Sequence, residues 1–196
     1  MDPENKSNFL PIDRYRSYLL ILAHAQMGRR IRTKVDASDI VQQTLLRAHQ
    51  ARDEFRGRES IELAGWLRTI LARSIANAVR DLRRAKRNLS IERSLEAEIE
   101  GSSSRLACWL VDPRSGPGSQ LARAEQLVLV ADALVDLPEA QRDAIILKHC
   151  RGMGLAEVAE RMGRTHASVA SLLRRGLQQL REKLSNPSDP KTPVQE

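Results

Sequence analysis

Residues 157–175 read EVAERMGRTHASVASLLRR. Val158, Met162, Val169 and Leu173 recur at helical spacing, and Gly163 breaks the run. The pattern predicts two helices, at 154–162 and 165–184, crossing with their apolar faces together. Ala159 is small enough for the crossing point. Gly163 suits the left-handed backbone of a sharp turn. Thr165 is placed to cap the second helix. The preceding LPEAQRDAIILKHC, residues 137–150, offers Leu137, Ala144, Ile145 and Leu147 as a buttress. Agreement at so many positions predicts a helix-turn-helix.

At about 100° per residue, the second helix turns Val169, Leu173, Gly176, Leu177 and Leu180 inward. Its outer face carries Ala167, Ser168, Ser171, Arg174, Arg175 and Gln178. Small residues near its start let the backbone approach a DNA groove closely. Arg164, His166, Arg174 and Arg175 bracket them with charge for phosphates or guanines. Arg164, Thr165, His166, Ser168, Ser171, Arg174 and Arg175 form the candidate DNA-contacting set. It is short of bidentate base readers. One or two such pairs, each worth about 1–3 kcal/mol of discrimination, do not select a site from a genome. Something else must add specificity.

The whole chain fits a helical, anion-binding protein. Hydrophobic residues make up 41% and aromatics only 3%, with Leu, Ala, Ile and Val dominant. That balance favours packed helices, so the expected fold class is all-α. The 32 Lys and Arg exceed the 25 Asp and Glu, leaving a net charge of +7. Such an excess points to nucleic acid or an acidic membrane surface as partner. The longest apolar run, YLLILAHA, is far short of the roughly 20 residues that span a bilayer. The N-terminus has no basic-then-apolar signal pattern. No membrane insertion is expected, and Cys108 and Cys150 are read as reduced thiols of a cytoplasmic protein. His24, His49, His149 and His166 are scattered, KHC at 148–150 has no metal-ligand companions, and there is no phosphate-binding glycine loop. The sequence therefore offers no catalytic, metal or cofactor site, and an enzyme is not expected.

Further helices are expected at 12–27, 36–54, 62–87, 120–135 and 138–150. Asp36 can cap the second of these, with Asp39 in its first turn. Pro138 suits the first turn of the last. The stretch GSSSRLACWLVDPRSGPGSQ, residues 101–120, reads as linker. SIERSLEAEIE, just before it, reads as a short acidic helix. Within the linker, Leu106, Trp109 and Leu110 form an apolar island that packs on a neighbouring domain or meets a partner. The Pro-rich tail SNPSDPKTPVQE has a disordered composition. The expected division is a helical domain at 10–88, a linker at 89–118, a helix-turn-helix domain at 119–184 and a tail at 185–196.

The N-terminal domain holds a second basic element. GWLRTILARSIANAVRDLRRAKR places Arg68, Arg73, Arg80, Arg83, Arg84, Lys86 and Arg87 against a single acid, Asp81. Trp66, Leu67, Ile70, Leu71, Ile75, Ala78 and Leu82 form an inner stripe. Arg73, Asn77, Arg80, Arg84 and Arg87 share an outer strip. Crowding of one sign is repulsive without an anionic partner. The preceding DASDIVQQTLLRAHQARDEF buries Ile40, Val41, Thr44, Leu45 and Ala48. It presents Asp39, Gln42, Gln43, Leu46, His49 and Gln50 outward, a nearly uncharged face with a leucine at its centre. That is the character of a protein-docking face or of a neutral solvent face.

Three segments now carry a resemblance: DASDIVQQTLLRAHQARDEFRG, then WLRTILARSIANAVRDLRR, then LPEAQRDAIILKHCRGMGLAEVAERMGRTHASVASLLRRGLQQLREKL. Their order and spacing resemble the sigma-70 family, most closely its extracytoplasmic-function (ECF) subgroup, over roughly residues 10–88 and 119–184. The resemblance implies a sigma factor with a sigma-2-like bundle and a sigma-4-like helix-turn-helix. It implies core RNA polymerase as partner, through the β′ clamp helices and the β flap, together with promoter DNA and an anti-sigma protein. Residues matching Asp39–Arg47, with Asp39, Gln42, Gln43 and Leu46 outward, would dock on the clamp helices. The segment at 55–84, with Arg73, Asn77, Arg80, Arg83 and Arg84, would recognise and open the −10 element. Residues 166–178 would read the −35 element. The chain departs from the family at Gln43, where Glu is frequent, and at Ala170 and Leu172, where Lys and Arg are. Those changes weaken a charge pair and lighten phosphate anchoring.

A sigma factor resolves the shortage of base readers. Two modest readers sum when polymerase holds both. A flexible linker of about 30 residues has a root-mean-square span of roughly 30 Å and an extended reach on the order of 100 Å. Elements about 17 base pairs apart are separated by roughly 58 Å, so the linker reaches without fixing the distance. Aromatics near the melting segment are sparse, which puts base capture on the loop FRGRESIEL. The strongest rival reading is a free-standing helix-turn-helix regulator, which leaves the second basic helix and the Gln/Leu face unemployed.

Overall fold

The computed structural model describes residues 11–27, 31, 33–57, 59–83, 89–110 and 120–185. Among them are eight α-helices and no strand. In chain order these are α1 Arg16–Gln26, α2 Ala37–Gln50, α3 Ser60–Arg83, α4 Leu89–Leu110, α5 Gln120–Val135, α6 Glu139–Ile145, α7 Leu155–Met162 and α8 His166–Ser185. A 3₁₀ turn at Ile12–Tyr15 leads into α1, another at Arg52–Glu54 follows α2, and α6 runs on through a π turn at Ile146–Cys150.

Local chemistry sets several boundaries. The Asp36 carboxylate accepts the Ser38 N–H at 2.9 Å and opens α2. Pro138 stands as the N-cap of α6, one residue before the helix begins. The Glu157 carboxylate accepts the Gly154 N–H at 2.6 Å at the start of α7. Gly163 ends α7 at φ 63°, ψ 40°. The Thr165 hydroxyl accepts the Ser168 N–H at 3.2 Å and opens α8.

The core is continuous across both halves. Tyr18, Leu19, Ile21 and Leu22 of α1, Ile40 and Leu45 of α2, and Leu67, Leu71 and Ile75 of α3 share one apolar cluster. Leu127, Val130 and Leu134 of α5, Ile145 of α6 and Leu180 of α8 belong to it too. The helix-turn-helix adds its own small centre of Val158, Ala159 and Val169, bordered by Leu147, Met153, Leu155, Met162 and Leu173. Ala159 takes the crossing position, at 3% exposure.

The largest departure from expectation lies in the stretch read as linker. Residues 89–110 are helical, and α4 packs on α1, α3, α5 and the π turn. Residues 111–119 and 186–196 lie outside the described residues. Gly101, Ser102, Ser103 and Ser104 cost α4 roughly 2–3 kcal/mol relative to four alanines. Docking outweighs that cost. Ile99 and Leu106 are fully buried, and Ser102 and Ser103 are buried beside them. The Ser103 hydroxyl pairs with the Tyr18 hydroxyl at 2.7 Å, and Gln26 Nε2 donates to Ser102 Oγ at 3.0 Å. Of the apolar island, Leu106 is buried and Trp109 stacks on His149 with ring centroids 4.5 Å apart. The island packs within the molecule at these two residues.

Two positions on the helix faces also differ. Leu82, read as part of the inner stripe of α3, is 39% exposed. Leu172, read as a departure at a phosphate-anchoring position, is buried. α8 packs against α7, α6 and α5, so its covered arc is wider than one stripe.

Candidate nucleic-acid interface

Three surfaces carry the sequence-predicted residues. The first is the start of α8. Arg164, Thr165, His166, Arg174 and Arg175 are exposed, and Ser168 and Ser171 are half-buried on the same outer side. Ala167 and Ala170 leave this surface low. Arg175 Nε reaches back to the Ser171 carbonyl at 3.4 Å. Gln178 instead donates to Glu182 at 3.1 Å. Arg164 also lines a cleft of about 670 Å³ between the halves, with Lys34, Asp36, Glu139 and Arg161 on its walls.

The second surface lies along α3. Arg73, Asn77 and Arg80 line a cleft of about 400 Å³ with Arg47, Ala51, Ile70 and Glu92. Arg80 stands 3.7 Å from Asp81. Arg83 ends α3, but its side chain lies outside the described residues, as does Arg84 altogether. The sequence reading missed two charged residues of this cleft. Arg47 enters from α2 and donates to the Ser74 hydroxyl at 3.2 Å. Glu92 enters from α4. Only the packing of three helices places them there, so helical periodicity gave no signal.

The third surface is the outer face of α2. Asp39, Gln42, Gln43 and Leu46 are all exposed, Leu46 at 57%. His49 on this face is 3.2 Å from Asp13. Near the proposed melting loop, Phe55 packs on Trp66 with ring centroids 5.2 Å apart, and both are half-buried. Glu59 N–H donates to Glu62 at 3.0 Å and helps set the entry to α3.

No group of three or more His, Cys, Asp or Glu side chains among the described residues is placed to hold a metal ion. Among the described residues no helix is long and apolar enough to cross a membrane. Cys150 is buried, and burial pushes its thiol up to about 12, with nearby Arg105 opposing in part. Cys108 is exposed.

An all-helical fold with a helix-turn-helix and a second, arginine-lined helix has the character of a DNA-binding protein. The Sigma-70 region 2 family matches residues 12–85, and the Sigma-70, region 4 family matches residues 127–180. The chain belongs to the sigma-70 family. It is 31% identical over 192 residues to the ECF RNA polymerase sigma factor SigG of Mycobacterium tuberculosis, a match covering 90% of this chain and 50% of the relative. The ECF sigma factor SigD of Mycobacterium bovis is 26% identical over 173 residues, covering 88% of this chain and 74% of the relative. The chain thus spans about half the length of the SigG relatives it matches. One solved structure is similar at 22% identity and a TM-score of 0.35, over 87% of this chain and 91% of that one. It is the sigma factor RpoE in complex with the anti-sigma factor NepR from Bartonella quintana.

Proposed function

We propose that this chain binds core RNA polymerase and directs transcription initiation at promoters carrying two spaced elements. The observation that supports the reading is the pairing of two basic helices, α3 and α8, with a nearly uncharged, leucine-centred face on α2 in one chain. In this reading Asp39, Gln42, Gln43 and Leu46 dock on the β′ clamp helices, and the helix-turn-helix half meets the β flap. Arg73, Asn77, Arg80, Arg83 and Arg84 serve the −10 element. Arg164, Thr165, His166, Ser168, Ser171, Arg174 and Arg175 serve the −35 element. The protein works in the cytoplasm beside the polymerase, has no catalytic role of its own, and takes an anti-sigma protein as a regulatory partner. The functional units are 10–88 and 119–184.

A pull-down with bacterial core RNA polymerase, followed by transcription on genomic fragments, tests this. Saturable core binding with new start sites, each preceded by two spaced motifs, is the expected result. No core binding, with nanomolar affinity for a palindromic duplex, would make the chain a free-standing regulator. The segment read as a loop at 55–63 is assigned to base capture, although Ser60 to Leu63 form the first turn of α3. Replacing its non-helical part, residues 55–59, with Gly/Ser should abolish permanganate reactivity at the −10 element while core binding persists.

A further inference from the structure

The cleft of about 670 Å³ between the halves meets the three surfaces described above only at Arg164. The end of α1, the turn before α2, the start of α6 and the end of α7 enclose it. Its volume falls in the range of about 300–1,000 Å³ that small ligands occupy. Lys34 enters from the N-terminal half, and Arg161 and Arg164 enter from the helix-turn-helix. All three are exposed, and among the described residues their side chains make no ion pair or hydrogen bond. The acids on the same walls are engaged. The Asp36 carboxylate caps α2 through Ser38, and Glu139 and Asp143 of α6 each have a partner. That leaves the three cations to set the sign of the open part of the cleft. Like charges around one concavity repel each other until an anion joins them.

The rest of the lining is apolar. Met27 and Ala37 are buried, and Val35, Leu147 and Met162 are half-buried on the same walls. Two methionines give a flexible, polarisable lining that suits an aromatic ring. A ligand that satisfies both parts carries several negative charges at one end and a flat ring at the other. We propose that the cleft is a binding site for a nucleoside polyphosphate, with Lys34, Arg161 and Arg164 on the phosphates and Met27 and Met162 against the base. Two guanidinium forks and one ammonium supply enough donors for more than one phosphate group. Arg164 engaged on a phosphate is withheld from DNA, so occupancy and −35 reading exclude each other. That exclusion rests on the role proposed above for Arg164; the site itself rests on the cleft alone.

Calorimetric titration of the full chain with ATP, pyrophosphate and adenosine, in magnesium-free buffer, tests the site. ATP should bind one-to-one, pyrophosphate about tenfold more weakly, and adenosine more weakly still. Lys34→Gln with Arg161→Gln should weaken ATP binding by about tenfold or more. Both residues are exposed, so the helical circular dichroism should not change. Arg16→Gln with Arg181→Gln removes the same charge from exposed positions outside the cleft and should leave ATP affinity as it was. Equal losses in the two double variants, or pyrophosphate binding as tightly as ATP, reduce the effect to the attraction of a basic chain for any polyanion and overturn the proposal. ATP should also displace a fluorescent DNA duplex from the unaltered chain at lower concentration than from the Lys34→Gln, Arg161→Gln variant. Undiminished duplex binding at saturating ATP overturns the exclusion. Failure to bind core polymerase overturns the promoter reading instead, and the titrations of the free chain alone then decide the site.

Discussion

Leu46 is the most exposed large hydrophobic residue described, at 57%, at the centre of a face otherwise polar. Leu46→Asp should abolish core polymerase binding while changing thermal stability by no more than about 0.5 kcal/mol. Unchanged core binding would remove α2 from the docking role. Arg174 is exposed on the outer side of α8. Arg174→Ala should weaken binding at the −35 element by about 1–3 kcal/mol if it reads a base. A uniform loss across sequences, with a shallower salt dependence, would make it a phosphate contact. Gly176 has a different task. A Cβ there would stand 2.8 Å from Ile145 Cδ1 and 3.2 Å from Gln141 Cβ, both on buried residues of α6. Gly176→Val should destabilise the fold by about 2–3 kcal/mol in denaturant titration, because the packed α6–α8 contact has no room.

Among the helices, legibility followed how local the cause was. α2 and the helix-turn-helix were legible because caps and periodicity agree: Asp36, Gly163 and Thr165 do in the structure what their chemistry predicts. α4 was only half legible. Its acidic N-terminal part reads as helix, whereas Gly101 to Ser104 reads as a breaker. The force that folds it comes from Tyr18, Gln26 and Arg151, up to 85 residues away in sequence. No window of sequence contains that force. Leu172 was missed for a related reason, since a single-face projection does not anticipate three neighbours. The α4 contact with the π turn has a pH consequence. Burial holds the His149 imidazole below its ordinary value of 6.5, with Lys148 adding to the effect. The unfolded chain therefore takes up this proton more readily than the folded one. Stability from His149 should be intact above that value and fall as pH drops through and below it. Thermal melts from about pH 8 to about pH 5 should show the decline, and His149→Phe, which keeps a ring against Trp109, should flatten it.

At the scale of the whole molecule, the two-domain division expected from composition meets a single continuous core. The helix-turn-helix keeps a private centre at Val158, Ala159 and Val169. α5, however, lies in the core shared with α1 and α3. The three candidate surfaces were legible as residue sets because each lies on one helix face. The clefts that join faces were not, since Arg47 and Glu92 enter them from separate elements.

The shared helix α5 carries a continuous apolar band that only its neighbours keep from water. Leu127, Val128, Val130, Ala131 and Leu134 are each at most 7% exposed. A substitution that loosens α5 from its neighbours would bring part of this band to water, and apolar area left in water favours any contact that covers it, at about 25 cal/mol per Å². Such a variant should be lost to self-association before it is lost to unfolding, which light scattering during a thermal melt would read.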